Sequence, residues 1–125
     1  MSTNVQESHA FHGMSLHVDI WVAPENVDKF LQALKPAYDL VTAEPECTFF
    51  EVYHAADSPG HFRWVENWSK DKEWFMKHQI TKEYYEPYFE ATEPLFIKPR
   101  EFKMFDRLPA GWTRAKKENM GKGWM

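Results

Sequence analysis

E-N-W-S-K-D-K-E-W-F-M-K-H-Q-I-T-K-E-Y-Y-E-P-Y, residues 66–88, decides how the chain is read. The first three residues end a strand on an aromatic side chain, Trp68. Ser69 is placed to cap a helix on which Trp74, Phe75 and His78 share a face at i, i+1 and i+4. Thr81 can start a second short helix carrying Tyr84, Tyr85, Tyr88 and Phe89. A strand that gives way to an aromatic helical segment describes one half of a β-α-β arrangement. His78 is then either an acid/base group in an apolar pocket or a core residue with an ordinary hydrogen bond.

The other half lies upstream. Between Met14 and Ala23, Leu16, Val18, Ile20 and Val22 alternate with His17, Asp19 and Trp21, the period of a strand with both faces partly covered. Pro24 suits the first turn of a helix. Val27, Phe30, Leu31, Leu34, Tyr38 and Val41 repeat at helical spacing, with Pro36 an expected kink or break. Cys47–His54 and His61–Trp68 read as two strands joined through Asp57-Ser58-Pro59-Gly60, a hairpin. Leu95–Phe105 is a fourth strand, with Pro99 marking an edge or bulge.

The predicted order is β-α-β-β-α-β, the ferredoxin-like α+β arrangement with an antiparallel sheet and helices on one face. The bare face would carry Trp21, too apolar to leave wet, which predicts a homodimer joined through the sheets. Residues 1–13 are expected to be a loose arm bearing His9 and His12, residues 14–106 the domain, and residues 107–125 an extension pinned by Trp112 or Trp124.

Composition bounds the function. The 125 residues are 43% hydrophobic and 17% aromatic, enough for one domain with a substantial core. Fifteen Lys and Arg against nineteen Asp and Glu leave a net charge of −4, which argues against nucleic acid as a partner. No apolar run approaches membrane-spanning length, and M-S-T-N-V-Q-E-S-H lacks the features of a signal peptide, so the expected location is the cytoplasm. The single cysteine, Cys47, excludes an internal disulfide and a cysteine zinc cluster, and reads as a small buried hydrophobe. His17 and Asp19 supply two ligands at most, so no metal is expected. No glycine-rich phosphate loop is present, and no cofactor is expected.

Trp64, Glu66 and Trp68 share one face of the third strand. The tryptophans could wall a flat aromatic ligand or simply be core. Glu66 could pair with His78, but a bridge to a lysine or arginine at the sheet end is the favoured expectation.

The stretch from about Leu16 to Phe105 resembles the antibiotic biosynthesis monooxygenase (ABM) domain. The resemblance rests on E-P-E-C (44–47), S-P-G-H-F (58–62), E-N-W (66–68) and H-Q-I-T-K-E-Y-Y (78–85), in that order. It implies a dimeric α/β barrel with a pocket between sheet and helices in each subunit. It also implies a monooxygenase acting on a quinol, anthrone or polyketide-like aromatic without metal or flavin. In that scheme His78 is catalytic, and Val18, Trp64, Trp68, Phe75, Tyr84 and Tyr88 bind substrate. The same pocket could run a decarboxylation, cyclisation or isomerisation, or serve a non-enzymatic binding dimer. The haem-degrading branch pairs a strand-one asparagine with a strand-three tryptophan and a helical histidine. Trp68 and His78 match, but the strand-one position falls near Val18 and that strand has no asparagine, so haem degradation is disfavoured.

Overall fold

A computed structural model describes residues 12–116 and 118. Strand β1 (Met14–Trp21) pairs antiparallel with β3 (His61–Trp68) on one side and β4 (Glu101–Asp106) on the other. Strand β2 (Cys47–His54) pairs with β3 as the outer arm of the hairpin. The four-stranded sheet therefore runs β2-β3-β1-β4, the expected ferredoxin-like order.

Pairing places Leu16 opposite Glu66 and Val18 opposite Trp64. Because side chains alternate along a strand, Met14, Leu16, Val18 and Ile20 share a face with Phe62, Trp64, Glu66 and Trp68, and all eight are buried. Helix α1 (Val27–Thr42) covers this face with Phe30, Leu34, Ala37 and Val41, and the Phe30 ring lies 5.3 Å from that of Phe62. Fully burying a side chain of this size contributes about 1.5–3 kcal/mol, so this face stabilises the fold.

The helices depart from expectation in three places. Helix α1 continues through Pro36 to Thr42 without a break. Ser69 does not cap the next helix: its amide still donates to the Glu46 carbonyl at 2.8 Å, at the end of the sheet, and the helix starts only at Lys72. Asp71 is the cap instead: its carboxylate accepts from the Trp74 amide at 2.8 Å, at the start of the short helix α2 (Lys72–Trp74). Helix α2 passes directly into a π-turn over Phe75–Gln79. Helix α3 begins at Tyr85 and ends at Thr92, later than Thr81 suggested.

The fourth strand is shorter than predicted. Pro94 holds Glu93–Leu95 in a 3-10 turn, and Pro99 has no amide to donate. The ladder accordingly starts at Glu101, although Phe96 makes an isolated bridge to Val22 beyond the end of β1.

The face away from the helices is more polar than expected. Asp19 accepts from Arg63 at 2.9 Å and pairs with His61 at 2.7 Å, while His17 bonds Ser15 at 2.9 Å. The Trp21 ring stacks on His61 at 4.7 Å and has the Lys98 ammonium 3.9 Å above it. Residues 1–11, including His9, and Trp124 lie outside the described residues. His12 donates from its amide to Arg107, and Arg107 donates back to Gly13, which extends the β1–β4 edge. Trp112 is 75% exposed and pins nothing.

Candidate functional site

The alternation of β3 aims Trp64, Glu66 and Trp68 at the helices. The Glu66 side chain lies between the two indoles. Trp64 Nε1 donates to Glu66 Oε2 at 3.0 Å, and Trp68 Nε1 donates to Oε1 at 3.0 Å. Glu66 is 7% exposed, and among the described residues no cation lies within ion-pairing distance. Burial pushes its carboxyl up to about 7 against the downward pull of both indole N–H groups. This replaces the expected bridge to a lysine or arginine.

Glu66 is part of the wall of a cavity of about 130 Å³ between the sheet and the helical layer. Leu16 and Val18 from β1 and Trp64 from β3 form the floor. Phe75, Met76 and Ile80 close it from the π-turn, and Tyr85, Tyr88 and Phe89 from α3. Arg100, Phe102 and Met104 complete the wall along the edge strand. Phe102 is 59% exposed, so this side is the mouth. The Arg100 guanidinium sits over the Phe89 ring at 4.5 Å. A wider trough of about 920 Å³ between α1 and β2 passes Asp28, Lys35 and Tyr38 but holds no buried polar group.

Of the residues singled out in the sequence, Val18, Trp64, Phe75 and Tyr88 line the cavity together. Trp68 stands behind Glu66 as its second hydrogen-bond donor and packs edge-on against Phe75 at 5.4 Å. Tyr84 turns away: its hydroxyl donates to Glu44 at 2.8 Å and accepts from Gln79 at 2.7 Å, while Lys82 holds the same Glu44 oxygen at 2.6 Å. Tyr85 takes the inward place and also accepts from Gln79, at 2.8 Å. Burial pushes Tyr84 and Tyr88 up to about 12 and Tyr85 higher still, so all three hydroxyls keep their protons near neutrality.

His78 is exposed and outside the cavity wall, with its ring 6.0 Å from that of Trp74. The π-turn accounts for this. Ile80 donates from its amide to the Phe75 carbonyl, an i+5 closure with more residues per turn than an α-helix. Each residue therefore turns less far round the axis: the third after Phe75, His78, falls short of the Phe75 face, and Gln79 comes inward in its place. Glu66, Tyr85, Arg100 and Phe102 are among the nine cavity residues that the sequence did not single out as binding or catalytic. The one available signal was the W-x-E-x-W alternation of β3.

The chain is an α+β domain with an apolar, aromatic-walled cavity under one side of a ferredoxin-like sheet and a carboxyl in its wall, the make-up of a small-molecule pocket. The family profile described as antibiotic biosynthesis monooxygenase matches residues 14–87, and the chain belongs to that family. A protein of Pestalotiopsis microspora that carries the provisional name monooxygenase is 40% identical over 102 residues, covering 81% of this chain and 85% of that protein. Solved structures share the fold at low identity. An antibiotic biosynthesis monooxygenase, so named provisionally, from Nitrosomonas europaea has a TM-score of 0.71 at 18% identity, covering 79% of this chain and 93% of that one. SnoaB, a cofactor-independent oxygenase from Streptomyces nogalater, has a TM-score of 0.62 at 14% identity, covering 75% and 91%.

Proposed function

We propose that the protein is a cofactor-independent monooxygenase acting on an electron-rich hydroxylated aromatic, and that it works as a homodimer. The observation that carries this reading is the cavity between sheet and helices, aromatic-walled and mostly apolar, with the Glu66 carboxyl among apolar groups. Once deprotonated, an electron-rich quinol or phenol can itself pass an electron to dioxygen. What the protein then has to supply is a proton acceptor, a fixed orientation and exclusion of water from the reactive intermediate. Family membership and the name carried by the Pestalotiopsis relative support the reaction class. A porphyrin is several times larger than about 130 Å³, which speaks against haem as the substrate.

The sheet face away from the helices offers the dimer contact. It mixes the Asp19–Arg63 pair with half-exposed Tyr53 and Phe105, a composition suited to a subunit interface with polar and aromatic patches. The chain has no helix, among the described residues, long and apolar enough to cross a membrane.

The test is oxygen uptake with a panel of quinols, naphthols and anthrones, alongside sedimentation. Enzyme-dependent oxygen consumption with incorporation of one oxygen atom into product, from a dimeric protein, is expected. Turnover without oxygen consumption would replace the reading with decarboxylation, cyclisation or isomerisation. A monomer at micromolar concentration would remove the dimer.

A further inference from the structure

Among the described residues, Glu66 is the one carboxyl in the wall of the cavity. Each of its oxygens accepts one indole N–H, at 3.0 Å and 3.0 Å. A carboxylate oxygen has two acceptor positions, so each oxygen keeps a free one. Indole nitrogen is a donor only. Trp64 and Trp68 therefore fix the orientation of the carboxyl without being able to take its proton or compete for a ligand's.

The cavity also limits what can reach it. Its volume of about 130 Å³ is close to that of an engineered apolar cavity, ~150 Å³, which stays dry and takes up benzene. One six-membered ring fits, and any further part of a ligand must lie beyond Phe102 and Arg100 at the mouth.

We propose that Glu66 is a catalytic residue: its carboxylate accepts the proton of a hydroxyl on the single aromatic ring that the cavity admits. The O–H bond of the ligand breaks, an O–H bond forms on Glu66, and the ring is left as a phenolate. No electron is transferred in this step. The phenolate is the species that gives an electron to dioxygen in the oxygenase reading, on which this proposal rests for its substrate. Burial of the carboxyl brings its proton affinity closer to that of a phenol, which makes the transfer less uphill. The other ionisable groups facing Glu66 are Tyr85 and Tyr88 from α3, Cys47 from β2 and Arg100 before β4. The tyrosines and Cys47, pushed up to about 11 by its burial, stay protonated near neutrality.

The experiment measures binding of 4-nitrophenol, whose phenol and phenolate absorb differently, and of 4-nitroanisole, its O-methyl ether, across pH. In the wild type, nitrophenol and Glu66 should share one proton, giving a bell-shaped affinity that falls tenfold per pH unit on each limb. Glu66→Gln should lose the acid limb and keep the alkaline one, and nitroanisole, which has no proton to give, should show no acid limb with either protein. If both probes bind with the same pH dependence to wild type and Glu66→Gln, Glu66 is not the proton acceptor although the cavity reading stands. If neither probe binds the folded wild type, the cavity reading itself fails, and the proposal with it. Should Glu66→Gln not fold, carboxyl ¹³C NMR of the wild type decides: nitrophenol must lower the Glu66 titration and nitroanisole must not. Identical titrations with both probes would overturn the proposal.

Discussion

Replacing Glu66 by Gln should change how stability depends on pH, in a direction fixed by the carboxyl's surroundings. Burial moves Glu66 from an ordinary 4.5 up to about 7 in the folded chain. Between those values the unfolded chain has released this proton and the folded chain has kept it. The unfolded state then binds fewer protons, so stability falls as pH rises. The contribution is full below about pH 4.5 and lost by about pH 7. A shift of some two and a half units corresponds to about 3 kcal/mol, or a melting-temperature change of roughly 12 °C in a domain of this size. Glutamine cannot titrate, and its amide meets one indole N–H unfavourably, a pH-independent cost of about 1–3 kcal/mol. The assay is thermal and denaturant unfolding of both proteins from pH 4.5 to 8, read as a difference. Wild type should be favoured over the variant at the acid end, and that advantage should shrink steadily to pH 7. The difference cancels His17, which burial, then Arg63, hold below its ordinary value despite Asp19, and whose effect on stability has the opposite sign. Asp19 is depressed by Arg63 and His61 although its burial works upward, and Glu44 is depressed chiefly by Lys82, so both act only below this window. A flat difference curve would refute the idea that Glu66 is held as a buried, unpaired acid.

Trp64→Phe keeps the aromatic wall but deletes one donor to Glu66. A hydrogen bond to a charged group is worth about 1.5–3 kcal/mol, so the Glu66 titration followed by ¹³C NMR should rise by roughly one to two units. An unmoved titration would mean that this bond does not hold the charge. Gly13→Ala should lower the melting temperature sharply, because Gly13 has φ 106° and an added Cβ would lie 1.9 Å from the Trp68 carbonyl oxygen. Gly111→Ala, which meets nothing within 4 Å, is the matched control and should leave stability unchanged. Dialysis against a chelator should alter neither stability nor oxygen uptake, since among the described residues no group of three or more His, Cys, Asp or Glu is placed to hold a metal. Loss of oxygen uptake on chelation, restored by one metal ion per chain, would refute that.

The sheet was legible because its signals are local. Alternation in β1 and β3 states which side chains are buried, and Pro59-Gly60 marks the hairpin, so β2 and β3 begin and end where the residues say. Where two signals compete, position decides. Ser69 is a good cap by type, but its amide still belongs to the sheet, and the helix starts three residues later, where the carboxylate of Asp71 caps it. Leu95 looks like strand by hydrophobicity, yet Pro94 turns the chain there and Leu95 becomes a buried anchor beneath the helices.

The site was half legible, and the missing half has a specific physical origin. Period and residue type brought out Trp64, Phe75 and Tyr88, and the family resemblance added Val18, because a wall needs only the right face. Placing a proton acceptor needs the direction of individual side chains, and that depends on the helical winding. A single i+5 closure at Phe75 rotates His78 out to solvent and draws Gln79 inward to hold Tyr85. With the histidine outside, the cavity still contains an acid, because two indole N–H groups can stabilise a carboxylate that has no cation beside it. That support is partial, which is why Glu66 titrates near neutral pH instead of remaining ionised at all working pH values. A cation in the same place would fix the charge and leave a poor base. The W-x-E-x-W alternation therefore matters through what it omits: two donors that orient the carboxyl and none that neutralises it.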